Sequence, residues 1–300
     1  MKKWTIWSLK IISGIVVLFI LSCFLFDALV QFRMSDDEWL DLFRSNGIKG
    51  EVRYFTSHGR SIRYVTASAD SLPVVLFIHG SPSSSSIYKN YFTDSFFLHR
   101  FQIYAIDRPG YGGSGFGKPL VSIQQQAAII KDMMDSLNKP KHPVIVVAGS
   151  YGTSVACRFA MDYPQITDGL VLTGPSLGAG LEHVYWFTPI VENPAINWFI
   201  PRMFQSANKE KITHKNELTK MLPYWKNIRI PVMYMQGEKD ELIDTANASF
   251  ARTHMVNVPY LYIHFFKGKP HFIPFSEHQF IEQKIFDMLN IVQTKEQRKK

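Results

Sequence analysis

Four β-branched residues, Val144-Ile145-Val146-Val147, run without polar alternation and end abruptly in Ala148-Gly149-Ser150-Tyr151-Gly152, where a helical pattern begins. A strand that is apolar at every position has both faces buried, a condition met mainly in parallel sheets with helices packed on either side. The choice of fold narrows at once to a layered α/β architecture. A strand running straight into a helix also forces a sharp turn at Ser150. That turn is sterically allowed only between small neighbours, here Ala148 and Gly152. It would lift the Ser150 hydroxyl above the sheet and aim the backbone N–H of Tyr151 at whatever the hydroxyl attacks. Small-x-Ser-x-small segments also serve as plain strand-to-helix turns, so the rest of the chain must supply the partners.

The two-face-buried pattern recurs in VVLFI (74–78), FQIYAID (101–107), GLVLT (169–173), IPVMYMQ (230–236) and PYLYIHFF (259–266). Helical patterns over 122–137, 151–163, 245–254 and 277–292 separate these runs, and residues 36–49 read as a short amphipathic connector. EVRYFT (51–56) and SIRYVT (61–66) alternate around Ser57-His58-Gly59-Arg60, which signals a hairpin. Alternating strands and helices imply crossover units and a mainly parallel, doubly wound sheet. Residues 176–228 have no strand pattern and are inserted before the last two strands. Insertions of this length are usually lids or binding loops. This one carries Tyr185, Trp186, Phe187, Trp198, Phe199, Phe204 and Trp225. Most of these aromatics are expected to pack a helical cap onto the body, and a few to line an apolar pocket.

The formal net charge of +8 belongs largely to the chain ends. Lys2, Lys3, Lys10 and Arg33 against Asp27 give +3 before residue 36, and Lys295, Arg298, Lys299 and Lys300 against Glu296 give +3 in the tail. The body keeps only +2 and shows no basic stripe interleaved with aromatics, which argues against nucleic acid as a partner. Cys23 and Cys157 lie in unlike settings and have no metal-ligand spacing. From Ile11 to Phe26 the chain is uncharged, with Lys2, Lys3 and Lys10 before it and Asp27 after it. Extended by Trp4, Ile6, Trp7 and Leu9, this stretch is long enough to span a bilayer. The positive-inside rule then puts its N-terminus in the cytoplasm and the body on the extracytoplasmic side. A lipoprotein signal at Cys23 and a cleaved signal peptide are the alternatives, and both put the body on the same side.

A Ser hydroxyl is a weak nucleophile at neutral pH and needs a base, normally His, held by a carboxylate. In a parallel sheet the functional loops gather at the carboxyl ends of the strands. The strand IPVMYMQ runs into Gly237-Glu238-Lys239-Asp240, which delivers Asp240 to that edge, with Glu238, Glu241 and Asp244 as alternatives. After PYLYIHFF the loop Lys267-Gly268-Lys269-Pro270 brings His271, whereas His264 lies within the strand and His278 within the next helix. A second oxyanion donor is expected after VVLFI, where the chain turns at His79-Gly80. The next amide is that of Ser81, and Pro82 has none to give.

Taken together, His79-Gly80-Ser81-Pro82, the segment Asp107 to Ser114, the turn around Ser150, the turn with Asp240 and Gly268-Lys269-Pro270-His271-Phe272 resemble the α/β-hydrolase fold superfamily over residues 50–292. The resemblance implies a capped, cofactor-free hydrolase with Ser150 as nucleophile, His271 as base and then acid, and Asp240 orienting His271. It also implies a largely structural role for the segment holding Asp107 and Arg108. Epoxide- and halide-processing members use Asp as nucleophile, so Ser150 argues against both activities. The expected organisation is a membrane segment over 1–35, a hydrolase domain over 36–292 with its cap at about 176–228, and a basic tail over 293–300. With aromatics in the insertion and no evident charged clamp, the expected substrate is a small to medium apolar ester. An aminopeptidase, thioesterase or acyltransferase, or a non-catalytic membrane-anchored binding protein, is the alternative. Oligomeric state is not readable from the sequence.

Overall fold

A computed structural model describes residues 3–137 and 142–297. Lys2 and Arg298, Lys299 and Lys300 of the basic ends lie outside the described residues. Eight strands form one sheet: β1 Gly50–Ser57, β2 Arg60–Ala67, β3 Val74–Ile78, β4 Gln102–Ile106, β5 Val144–Gly149, β6 Gly169–Thr173, β7 Val232–Gly237 and β8 Leu261–Phe266. Their order is β1-β2-β4-β3-β5-β6-β7-β8. The hairpin β1–β2 and the pair β2–β4 are antiparallel, and the remaining pairs are parallel. Among the helices, α1 is Lys3–Leu29, α2 Asp36–Ser45, α3 Ser95–Leu98, α4 Ile123–Ser136, α5 Tyr151–Asp162 and α6 Thr188–Val191. They are followed by α7 Pro194–Asn197, α8 Arg202–Met221, α9 Asn247–His254, α10 Ile273–Ser276 and α11 His278–Gln297.

The strand runs are apolar throughout because alternate residues enter different layers. Val74, Leu76 and Ile78, with Val144 and Val146, join α4, α5 and α9 in one core. Val75 and Phe77, with Ile145 and Val147, join α2, α3 and α11 in the other. Trp39, Phe43 and Phe92 fill the second core beneath α2, whose start is fixed by a capping box between Ser35 and Glu38. Helix α11 runs beyond the predicted Val292 as far as Gln297.

Between β6 and β7 the chain forms the cap from α6, α7, α8 and the 3₁₀ turn Leu222–Asn227. Trp225 is buried in the first core, as expected of a cap anchor, but Trp186 and Trp198 face outward. The described residues contain one helix long and apolar enough to cross a membrane, Trp7–Leu29, and it lies outside both cores. Beyond Leu29 the chain stays attached to the body. Ser84 Oγ donates to Phe32 O at 2.9 Å, Arg33 Nη1 to Gly112 O at 2.9 Å and Arg63 Nη2 to Met34 O at 2.9 Å.

Candidate active site

Ser150 joins β5 to α5 at φ 51° and ψ −129°, a left-handed region that non-glycine residues rarely occupy. Such a conformation costs on the order of 1–3 kcal/mol and persists only where its surroundings over-determine it. Here the Ser150 N–H donates to Thr173 O at the end of β6, and Ser150 O accepts from the N–H of Thr153, both at 2.9 Å. Gly152 permits the approach of α5, since a Cβ there would lie 2.5 Å from His79 O and 2.6 Å from Ile78 O. Ala148 is fully buried in β5. Ser150 occupies the N-cap position of α5, yet its side chain makes no capping bond, although Ser is a favoured capping residue. Ser150 is instead among the residues that line a cleft. Tyr151 opens the helix, so its N–H has no intrahelical acceptor.

Asp240 and His271 meet at the same sheet edge. His271 Nδ1 donates to Asp240 Oδ2 at 2.8 Å, and both side chains are nearly inaccessible. The other Asp240 oxygen accepts from the amides of Leu242 (3.0 Å) and Ile243 (2.9 Å), and Gln236 Nε2 donates to Oδ2 at 3.1 Å. Burial pushes the Asp240 carboxyl up, but the hydrogen bond and charge of His271, with the Ile243 amide and Gln236, outweigh it and hold the pKa below the ordinary value. With Nδ1 committed as donor, Nε2 is left as the imidazole's acceptor. The ring lies over Gly174, the residue after β6, where a Cβ would come within 2.8 Å of His271 Cε1. Ser150 is tied to Thr173 and His271 rests on Gly174, so adjacent backbone positions carry the two side chains. Of the alternative carboxylates, Glu241 accepts from the His271 amide at 3.4 Å and Glu238 from that of Gly268 at 3.0 Å, while Asp244 caps the chain at Ala246.

The loop after β3 faces Ser150 directly. A Cβ on Gly80 would lie 2.8 Å from Ser150 Cβ, so only glycine lets the loop come this close. His79 fixes its conformation: Nε2 accepts from the N–H of Arg108 at 2.9 Å, so Nδ1 is the donor to Gly80 O at 2.7 Å. Burial and then the Arg108 charge hold its pKa well below the usual imidazole value. Arg108 donates to His79 O (2.8 Å) and Gly80 O (2.9 Å), and pairs with Glu210 of α8 at 2.6 Å. Tyr111 OH completes the network, donating to Glu210 Oε2 at 2.7 Å and lying 2.6 Å from Ser81 Oγ. Arg108, Tyr111 and Glu210 are essentially inaccessible to solvent.

Ser81, Ser150 and Tyr151 line a cleft of about 430 Å³ whose far wall is the cap, with Tyr185, Phe187, Ile200 and Phe204 among its residues. A few insertion aromatics thus do line an apolar pocket. The wall also holds Glu182 and Lys211, where the sequence suggested no charged clamp. These two charges are engaged: Glu182 pairs with His214 (2.9 Å) and Lys211 (3.7 Å), and His214 Nε2 lies 3.0 Å from Ser154 Oγ. Burial raises the Glu182 carboxyl, and His214 and then Lys211 bring it below its ordinary value. Among the described residues no cluster of three or more His, Cys, Asp or Glu could hold a metal ion.

Sequence reasoning missed Glu210, His214 and Glu182. The signal for Glu210 and His214 was present in α8, where Met203, Ser206, Glu210, His214, Glu217 and Met221 recur at helical spacing and are all buried. Carboxylates and a histidine on an inward stripe demand buried partners.

This sheet, with a strained serine turn after its fifth strand and a helical cap before its last two strands, defines an α/β-fold hydrolase. Residues 69–264 match the hydrolase family described as serine aminopeptidase, S33, and the chain belongs to that family. It is similar to epoxide hydrolase 1 of Caenorhabditis elegans, 30% identical over 182 residues that make up 56% of this chain and 43% of that protein. The chain therefore matches less than half the length of that relative. Among solved structures it resembles carboxylesterase CesB (YbfK) of Bacillus subtilis, with a TM-score of 0.61 and 17% identity over 84% of this chain and 95% of that one. A membrane phospholipase A, described as a bacterial virulence factor, aligns with a TM-score of 0.64 and 14% identity over 98% of this chain and 99% of that one.

Proposed function

We propose that this hydrolase is a membrane-anchored serine esterase acting on small to medium apolar acyl esters. Ser150 attacks the carbonyl while His271 Nε2 takes its proton, Asp240 fixes the imidazole tautomer, and the amides of Ser81 and Tyr151 hold the oxyanion. The protonated His271 then gives its proton to the leaving alcohol, and a water, deprotonated by the same nitrogen, releases the acid from the acyl-enzyme. The observation that carries this reading is the strained Ser150 turn. Its side chain makes no capping bond, Ser150 lines an apolar cleft, and at the same sheet edge a histidine that rests on Gly174 is committed at Nδ1 to a buried carboxylate.

An amine-recognising peptidase, as the family description suggests, would need a free carboxylate in the cleft. Glu182 is the one available, and it is paired with His214 and Lys211. Opening of an epoxide, as the name of the nematode relative suggests, is disfavoured by Ser rather than Asp at 150. The apolar length of α1 supports the anchor, and the lysines at its N-terminal end support an extracytoplasmic body. A fluorophosphonate probe should label the wild type and not Ser150→Ala, and nitrophenyl esters should be cleaved faster than aminoacyl nitroanilides. Labelling that survives Ser150→Ala, or faster cleavage of the anilides, would overturn the assignment.

A further inference from the structure

Helix α1 does not merely precede the enzyme; it packs on the cap. Phe19 meets Trp198 (6.3 Å between ring centroids) and Phe199 (5.9 Å), and Phe32 meets Phe204 at 6.2 Å. Asp27, near the end of the apolar stretch, pairs with Arg202 at the start of α8 at 2.7 Å. Phe19 lies ten residues before Leu29, about 15 Å along a helix at 1.5 Å per residue. A bilayer's hydrocarbon is about 30 Å thick, so a cap that touches Phe19 cannot stand clear of a membrane crossed by Trp7–Leu29. The part of the cap that touches it has the composition for immersion. Residues 184–200 contain a single charge, Glu192, which accepts from Asn208 Nδ2 at 2.8 Å. Trp186 is 82% exposed, Val184 63% and Trp198 50%, large apolar side chains left in the open within one short segment. The same segment supplies Tyr185, Phe187, Thr188, Val191 and Ile200 to the wall of the cleft.

We propose that the 184–200 limb of the cap is seated in the leaflet that holds the C-terminal half of α1, and that the cleft draws its substrate from that leaflet. The substrate class is then a bilayer-resident acyl lipid, a long-chain ester whose acyl chain passes along Tyr185 and Phe187, the limb aromatics that line the cleft, while its carbonyl reaches Ser150. This rests on the anchored-esterase reading above and deepens it.

The test uses the full chain in phosphatidylcholine vesicles, in a Cys23→Ser background, with nitroxides at Leu18→Cys, Trp186→Cys and Phe96→Cys. Phe96 is exposed on the opposite face of the sheet, against α11. Positions 18 and 186 should be accessible to oxygen and shielded from a nickel chelate, and position 96 the reverse. A water-exposed 186 beside a lipid-exposed 18 overturns the seating and leaves the anchor intact. A water-exposed 18 overturns the anchor as well. Shielding of 186 from both reagents overturns the seating in favour of a contact with a second protein.

In the second arm, Trp186→Asp combined with Ile190→Asp should slow hydrolysis of nitrophenyl palmitate dispersed in the vesicles tenfold or more. Cleavage of water-soluble nitrophenyl acetate should be unchanged, because neither residue lines the cleft. Equal loss on both esters overturns the lipid route. Wild-type protein that cleaves neither ester overturns the esterase reading and the lipid substrate with it, while the nitroxide profile still decides the seating.

Discussion

The two walls of the cleft are held by different forces. At the sheet edge, side chains are placed by backbone. Ser150 hangs from Thr173, and the Asp240 turn is bonded to the His271 loop through the Lys239 amide and Lys269 O at 2.9 Å. Gly237 lies so close to that loop that a Cβ would meet Lys269 O at 2.3 Å. On the cap side the placement depends on buried charges, with Arg108 on Glu210 and His214 on Glu182. The edge inherits its precision from a cooperative sheet, whereas the cap combines apolar anchors such as Leu218, Met221 and Trp225 with these ion pairs. The loop carrying Ser81 belongs to both walls, since β3 delivers it and Glu210 braces it through Arg108 and Tyr111.

Substitutions can separate the two walls. Ser150→Ala should abolish fluorophosphonate labelling and lower kcat on the order of 10⁶-fold, with a melting temperature close to that of the wild type, because Ala keeps the Cβ that strains the turn. Asp240→Asn should cost on the order of 10⁴-fold in kcat by presenting the wrong tautomer of His271, while circular dichroism stays that of the folded chain. Gly152→Ala would push α5 against the carbonyls of Ile78 and His79 and so displace the oxyanion loop. A fall in kcat of about 10²–10³-fold is expected, the scale of one oxyanion donor, and unchanged turnover would contradict it.

On the cap side the larger effect is on stability. Glu210→Gln leaves Arg108 buried without its counter-charge, which typically costs about 3–5 kcal/mol, so urea denaturation should shift well to lower denaturant. Turnover should fall more modestly, through the Ser81 loop, and the conservative Glu210→Asp should recover part of both. A Gln variant as stable as wild type would mean that the two walls are not held differently.

The smallest effect is a pH slope. His79 is held neutral below its ordinary pKa by burial and by Arg108, so the unfolded chain binds a proton that the folded one refuses. Stability is full above about pH 6.5 and declines as pH falls below it. His264 and His278, also lowered with burial as the largest cause, act in the same direction. The Asp240 contribution is present above about pH 3.9 and is lost as pH falls through its depressed pKa. Melting temperatures that stay flat from pH 7.5 to 5 would contradict the assignment for His79.

The edge was the legible half. Runs such as Val144–Val147 and Val74–Ile78 can be nothing but strands buried on both faces, and each ends in a turn whose first polar residues must emerge at one edge. That is why the sequence directs Ser81, Ser150, Asp240 and His271 to one edge as candidates. The cap was less legible because its partners are distant in sequence: Glu210 is 102 residues from Arg108, and no local pattern pairs them. Counting aromatics in 176–228 locates the insertion but not which way each ring faces, so the outward placement of Trp186 and Trp198 is not legible from it. The docking of α1 was invisible for the same reason, because Phe19 and Phe199 are each ordinary in their own segment.

The strap after α1 bears on how the enzyme can be handled. A form trimmed after residue 35 to gain solubility would take Asp27 from Arg202, the Phe32 carbonyl from Ser84 and the Phe32 ring from Phe204 in the cleft wall. The segment before α2 thus buttresses Arg202 and Phe204 from outside the cleft, and comparing trimmed and full-length protein on esters of graded chain length would show whether that buttress shapes specificity.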